Sequence, residues 1–368
     1  MQKPSQLLVI ESPTIARYYE NSLEAAGFDV TVAHDAASAL VSYRNRRPQV
    51  ISLDPILPSM DALEFIACVR ATADARSMPI CLLPHADPNL SQAALSAGAN
   101  RGLAREEQPL QALTAMSVSF CQLNLERWQP KPLGTEHWIG PALDHVVQFR
   151  AGLHTVMRDS RDETAWNHLS RQAHMLTETL ALADQPGLSQ LALSTELLVL
   201  DLRSMPEQLN SSVTITLGQA ADFLNSRLSQ SCMGALPCPS GSRVLVVDDD
   251  HGARELISAS IQTAGLMPEV VDSPSACISA VSNNRFDLVF LDVGLPEMTG
   301  FELCSRVRNT PGHDRVPIVF LTGMTNFQNR AQSSLSGGND FIGKPFHPLE
   351  LGLKALLWIN KGHLGKAA

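Results

Sequence analysis

Short apolar runs, each followed by a helical pattern, occupy both ends of this chain, and the two ends repeat one another. Leu7-Leu8-Val9-Ile10 answers Val244 to Val247. At a shared offset of 238, Gly27 answers Gly265, Asp54 answers Asp292, Pro58 answers Pro296, and Met78-Pro79-Ile80 answers Val316-Pro317-Ile318. Apolar strands alternating with amphipathic helices are the pattern of βαβ units, whose parallel sheet is buried on both faces. One match could arise by chance, but several in the same order mark a duplicated α/β domain.

Between the copies, from about 121 to 229, strand character disappears. Amphipathic helices are predicted at about 140–159, 162–183, 188–204 and 212–228. In the second, Leu169, Ala173, Leu176 and Leu180 fall at helical spacing; in the third, Leu188, Leu191, Thr195, Leu198 and Leu202 do so after a Pro186-Gly187 turn. Short connections make such helices antiparallel neighbours in an up-and-down four-helix bundle. Ser229 to Ser242, with Cys232, Gly234, Pro237, Pro239 and Gly241, reads as a linker, and Glu126 to Gly140 as linker or helix extension. The expected organisation is α/β plus all-α: an α/β domain over 1–120, a helical bundle over 121–232 and a second α/β domain over 243–362.

Charge and composition narrow the function. A net charge of −9 with no long basic run argues against nucleic-acid or anionic-membrane partners. Seven cysteines without a C-x-x-C pair, four of them (Cys68, Cys81, Cys277, Cys304) inside apolar patterns, read as reduced core residues. No signal peptide and no membrane-length apolar run is legible, so the expected location is the cytoplasm.

The chemistry-bearing residues of the second copy end its strands. Asp248-Asp249 follow Val244-Leu245-Val246-Val247, Asp292 follows Leu288-Val289-Phe290-Leu291, Thr322 follows Ile318-Val319-Phe320-Leu321, and Lys344 follows Asp340-Phe341-Ile342-Gly343. The steps from Asp249 are 43, 30 and 22 residues. Side chains ending successive parallel strands converge on one sheet edge, where α/β folds place their sites. Three carboxylates, a hydroxyl and an ammonium gathered there suit Mg²⁺ and a phosphoryl group. The plainer reading makes the Asp residues helix N-caps, but capping calls for neither the Thr nor the Lys at these distances.

With these motifs, V-L-V-V-D-D-D, F-L-D-V-G-L-P-E-M-T-G, F-L-T-G and F-I-G-K-P-F, the segment from about 243 to 360 resembles a response-regulator receiver domain of two-component signalling. The resemblance implies a doubly wound flavodoxin-like sheet of order 2-1-3-4-5. It makes Asp292 the phosphoacceptor, held with Mg²⁺ by Asp249, by Asp248 directly or through water, and by the backbone carbonyl of Gly294. Lys344 and Thr322 would bind phosphoryl oxygens, Phe341 would be a switch ring, and the Lys344-Pro345 bond would be cis. The protein would then be a phosphoacceptor that assists its own phosphorylation rather than an enzyme acting on a substrate.

The first copy looks like a degenerate receiver. At the places of the acidic pair it carries Glu11-Ser12, with Asp54 at the nucleophile, Pro84 at the Thr, Gly102 at the switch aromatic and, allowing a one-residue shift, Arg105 at the Lys. Asp54 is a second candidate phosphoacceptor with a reduced set of helpers. The expected role of this copy is that of a pseudo-receiver offering a docking or dimerising surface.

In the middle segment, A-H-M-L-T-E-T at 173–179 followed by G-L-S-Q-L-A at 187–192 is similar to a histidine phosphotransfer (HPt) domain. The resemblance makes His174 the candidate phosphotransfer histidine. Helical geometry places it on the polar flank with Ser170, Arg171, Thr177 and Glu178, where it is expected to be exposed. Thr177-Glu178 stand where the family has Lys-Gly.

Two functions follow. In the first, a histidine kinase or phosphotransfer protein phosphorylates Asp292, and His174 exchanges the group with a downstream receiver or effector protein in a phosphorelay. In the alternative, phosphorylation of Asp292 controls partner binding, while the bundle and the first copy act as a scaffold or homodimer interface without chemistry. A metal-dependent phosphatase on the same carboxylates is a third reading, but no acid–base pair accompanies it.

Overall fold

The computed structural model describes residues 3–57, 60–72, 78–84, 88–103, 109–121, 135–183, 185–230, 236–323 and 337–367. The chain divides into two compact units, Met1–Phe149 with Asn167–Gln185, and Arg150–Trp166 with Pro186–Ala368. Compactness thus divides the protein differently from the three sequence segments, because each unit combines one α/β sheet with part of the helical stretch.

In the first unit, strands β1 (Ser5–Val9), β2 (Asp29–Ala33), β3 (Val50–Leu53), β4 (Ile80–Leu82) and β5 (Arg101–Gly102) form a sheet of order β2-β1-β3-β4-β5. Helices α1 (Pro13–Ala25), α2 (Ala36–Arg46), α3 (Ala62–Arg70), α4 (Pro88–Ala97) and α5 (Pro109–Cys121) connect and follow the strands. The strand pairs are parallel. Parallel pairing buries both faces, as the two apolar clusters around Leu7, Val9, Ile51 and Phe65 and around Leu8, Ile10, Tyr19 and Phe28 require.

The helical stretch comprises α6 (Thr135–Arg158), α7 (Glu163–Leu182), α8 (Pro186–Ser204) and α9 (Ser211–Leu228), close to the predicted bounds. Leu169, Ala173, Leu176 and Leu180 of α7 and Leu188, Leu191, Thr195, Leu198 and Leu202 of α8 are buried as their spacing requires.

In the second unit, β6 (Arg243–Val247), β7 (Met267–Val271), β8 (Leu288–Asp292), β9 (Ile318–Thr322) and β10 (Asp340–Gly343) form a parallel sheet of order β10-β9-β8-β6-β7. Among the described residues, helices α10 (His251–Thr263), α11 (Pro274–Asn283), α12 (Gly300–Arg308) and α13 (Pro348–Ala367) accompany it. Counted within each copy, both sheets have the order 2-1-3-4-5. The duplicated glycines explain one shared turn: Gly27 and Gly265 follow α1 and α10 at φ of +100° and +75°, a region closed to most L residues.

Candidate functional site

At the carboxyl edge of the second sheet, β6 delivers Asp248, β8 ends on Asp292 and β9 on Thr322. Register sets Asp292 opposite Leu321 and Gly343 opposite Thr322, so the ends of β8, β9 and β10 lie level. Lys344, following β10, places its Nζ 2.8 Å from Asp248 Oδ2 and 3.0 Å from Asp292 Oδ1. Asp248, Asp292 and Thr322 are buried, and Asp249 is exposed. Asp250 is the residue that caps α10, accepting from the Ala253 amide at 2.9 Å. The capping role therefore belongs to Asp250, which leaves Asp248 and Asp249 for the site. The Lys344-Pro345 bond is cis, and Phe341 is half-buried against the core.

One ammonium among three carboxylates leaves negative charge in excess. Burial pushes the Asp292 carboxyl above its usual range, and Asp248 and Asp249 push it further against the opposing pull of Lys344. Burial draws the Lys344 ammonium down, but its two carboxylate partners outweigh this and leave it raised. Ligand oxygens of Asp248, Asp249 and Asp292 lie within 4.8 Å of one another. A hard divalent cation fits this all-oxygen, charge-rich set. Gly294, two residues past Asp292, leaves room there: a Cβ would meet Asp292 Oδ2 at 3.5 Å, an ordinary contact.

The equivalent edge of the first sheet differs, and its register corrects one expectation. The amides of Ile10 and Asp248 make the same bond to the second strand, to Ala33 and Val271 respectively. Ile10, and not Glu11, is thus the counterpart of Asp248; Glu11 matches Asp249. Ser12 matches Asp250 and does the same work, capping α1 through the Ile15 amide. What the first copy has lost is Asp248, replaced by an apolar side chain in the core. Pairing of β4 with β5 sets Gly102 opposite Leu82, as β9 with β10 sets Phe341 opposite Phe320, so Gly102 does stand in place of the switch aromatic. Pro84 is buried at the place of Thr322, and Arg105 lies outside the described residues.

His174 is corrected as well. It is not exposed: its relative exposure is 0%. Its Nε2 lies 3.3 Å from Asp54 Oδ1, and Arg171 Nε, one turn earlier on the same face, lies 3.2 Å from Glu11 Oε2. The polar flank of α7 meets the edge of the first sheet at Arg171 and His174, and Ser170, Thr177 and Glu178 of that flank are buried too. Met175 joins the apolar cluster of Ile15, Tyr19 and Leu83. Helical periodicity marked this face as polar, but a polar face can be covered when the opposing surface supplies the charges. Burial raises Glu11 above its ordinary range, with Arg171 pulling the other way; burial also lifts the Tyr19 hydroxyl, helped by Glu178 and Asp54.

A model of the response regulator receiver domain matches residues 7–116 and 244–355, more than half of the chain. The chain belongs to the response regulator receiver domain family. Its receivers are modules of two-component signalling, a family whose members interact with histidine kinases and phosphotransfer partners. It is 36% identical over 108 residues to an uncharacterized 14.6 kDa protein of Leptolyngbya boryana, covering 29% of this chain and 82% of that one. It is 38% identical over 109 residues to the DNA-binding response regulator MtrA of Mycolicibacterium smegmatis, covering 30% of this chain. It spans about half, 46%, of that regulator's length. Among solved structures, the receiver domain of the Pseudomonas aeruginosa sensor histidine kinase PA1611, with magnesium in its cleft, shares 27% identity at a TM-score of 0.31. That likeness covers 33% of this chain and 98% of the other. No helix among the described residues is long and apolar enough to cross a membrane.

Sequence reasoning missed a polar seam on the C-terminal receiver. Lys354 of α13 is fully buried, with Nζ 3.0 Å from Asp340 Oδ2 and 2.9 Å from Gln219 Oε1 of α9. Trp358 Nε1 donates to the same Asp340 oxygen at 3.0 Å. Glu350 accepts from Ser212 and Thr216 of α9 at 2.7 and 2.8 Å, and the Gly343 amide donates to Ser212 at 3.3 Å. The strand that carries Phe341 and leads to Lys344 is thereby bonded to α9. A lysine inside the otherwise apolar run L-K-A-L-L-W of α13 was the available signal, since such a group requires a buried acid.

Proposed function

We propose that the C-terminal receiver accepts a phosphoryl group on Asp292 from a histidine kinase or phosphotransfer protein, within a receiver–HPt–receiver protein of a phosphorelay. The observation that carries this is the Asp292 carboxylate 3.0 Å from Lys344, in a cluster with Asp248 and Asp249. An Asp292 oxygen attacks the phosphorus of a phosphohistidine; the O–P bond forms as the P–N bond breaks, and the departing imidazole nitrogen takes a proton. Lys344 neutralises a phosphoryl oxygen, and the Thr322 hydroxyl donates to another. Asp249, Asp292, Asp248 directly or through water, and the Gly294 carbonyl would hold Mg²⁺. The ion, when bound, offsets the negative charge that carboxylate and phosphoryl oxygens bring together. The Phe341 ring responds as Thr322 shifts, and the Ser212 bond to Gly343 offers a path from that strand to α9.

Full-length protein incubated with acetyl phosphate and Mg²⁺ is expected to gain one phosphoryl group. Chelation of the metal or Asp292→Asn should prevent it. Labelling that persists in Asp292→Asn would sink the assignment.

A second reading is favoured by the burial of His174. In it, phosphorylation of Asp292 controls partner binding while the bundle and N-terminal receiver do no chemistry. Phosphoryl transfer from a phosphorylated receiver to the full-length Asp292→Asn protein separates the two: label that vanishes on His174→Gln supports the relay, and no label even when Arg171→Glu breaks the pair with Glu11 supports the scaffold.

A further inference from the structure

We infer that the acidic edge of the N-terminal receiver is a binding site for the Arg171–His174 face of α7 in the same chain, and that docking there withholds His174 from partners. The inference needs no phosphorylation chemistry at Asp292. It bears instead on when His174 is available to the relay proposed above.

The complementarity is specific. The first copy keeps two carboxylates at its edge, Glu11 and Asp54, and lacks the carboxylate that Asp248 supplies to the second copy. In the C-terminal receiver an ammonium from the domain's own chain lies between two carboxylates. In the N-terminal receiver two nitrogen groups arrive from α7, three residues apart on one helix face. Arg171 takes Glu11 and His174 takes Asp54. Around this pair the contact is sealed by apolar packing, because Met175, next to His174, is 3% exposed among Ile15, Tyr19 and Leu83. Thr177 and Glu178, which stand where the resembled phosphotransfer domains carry Lys-Gly, are buried as well.

The geometry also excludes a modified state. A phosphoryl group on His174 Nε2 or on the Asp54 oxygen would have to occupy space closed by a contact of 3.3 Å. Attack on phosphorus needs roughly 3–3.5 Å between the reacting atoms, with a P–N bond still to be added. The docked arrangement is therefore a resting contact between unmodified groups, and phosphorylation of His174 and docking of α7 exclude each other. With an isoleucine where a metal-binding carboxylate would be and a proline where the hydroxyl would be, Asp54 serves this receiver as an anchor for imidazole.

Site-resolved labelling of histidines by diethyl pyrocarbonate, read by peptide mass spectrometry on the full chain, tests this. His154 and His251 are exposed and serve as internal references. His174 in the natural protein is expected to react far more slowly than either. Arg171→Glu, which sets two carboxylates against each other, should raise His174 labelling about tenfold, the change that ~1.4 kcal/mol of lost closure produces. The charge swap Glu11→Arg with Arg171→Glu should restore protection, which general unfolding would not allow. Asp54→Asn should raise labelling in the same direction. The inference is overturned if His174 reacts as fast as His154 in the natural protein. It is equally overturned if neither single substitution raises the rate, or if the swap leaves His174 as reactive as Arg171→Glu alone does.

Discussion

The two receivers share a fold and a sheet order, yet they balance charge at the same edge in different ways. In the C-terminal copy three carboxylates face one lysine of their own domain, which leaves negative charge in excess. In the N-terminal copy two carboxylates face an arginine and a histidine of α7, and the edge is closed. The exchange of Asp248 for Ile10, with Pro84 in place of Thr322, separates an edge with negative charge in excess from one whose two carboxylates face nitrogen groups of its own unit. Replacement of edge residues in a duplicated domain can therefore change what the edge faces while the sheet is kept.

The largest effect is expected from exchanging those two residues. Ile10→Asp places a carboxylate in an apolar cluster with no lysine opposite among the described residues, and should cost the protein about 3–5 kcal/mol in denaturant unfolding, the scale of an uncompensated buried charge. Asp248→Ile should cost less stability, since Lys344 keeps Asp292 as a partner and one of the mutually repelling carboxylates is removed, while removing phosphorylation of Asp292. Equal destabilisation by the two would break the comparison. Next in size, Lys344→Ala should slow acetyl phosphate labelling of Asp292 by about 10²–10³-fold, the loss typical for one preorganised charge donor. A rate unchanged in that variant would place the neutralising group elsewhere.

Much of this was legible in the sequence, and what was not has physical causes. Strand runs ending on Asp248, Asp292, Thr322 and Lys344 revealed the C-terminal edge because parallel strands bring their ends together. The helix bounds followed from apolar periodicity, and the sheet order from the resemblance to receiver domains. The register of the first copy was read one residue off, since an apolar Ile10 at a strand end looks like more strand and only its amide bond to Ala33 identifies its counterpart. The exposure of His174 was misjudged for a different reason. Periodicity tells which face of α7 is polar, but it does not tell that Glu11 and Asp54 stand opposite. The Lys354–Asp340 pair was hidden because its partners lie on separate elements, and the register counterpart of Asp340 in the first copy is an exposed arginine, Arg101.

Smaller effects sharpen the comparison further. Ser212→Ala removes the acceptor of the Gly343 amide and a donor to Glu350 and should cost about 1 kcal/mol. An unchanged unfolding midpoint would show that the seam contributes nothing. Least of all should the two cores differ. Burial pushes the thiols of Cys81 and Cys277, one in each sheet domain, up to about 12. At pH 8 both should resist a thiol reagent that modifies the exposed Cys68 and Cys238. Rapid reaction of Cys81 alone would mean that the degenerate copy is loosened throughout and not merely altered at its edge.

Locating the acyl phosphate tests the account most directly. Full-length protein treated with acetyl phosphate and Mg²⁺, reduced with borohydride and mapped by peptide mass spectrometry, should carry the modification at Asp292 and none at Asp54. Modification at Asp54, or its absence from Asp292, would contradict the division of labour between the two edges.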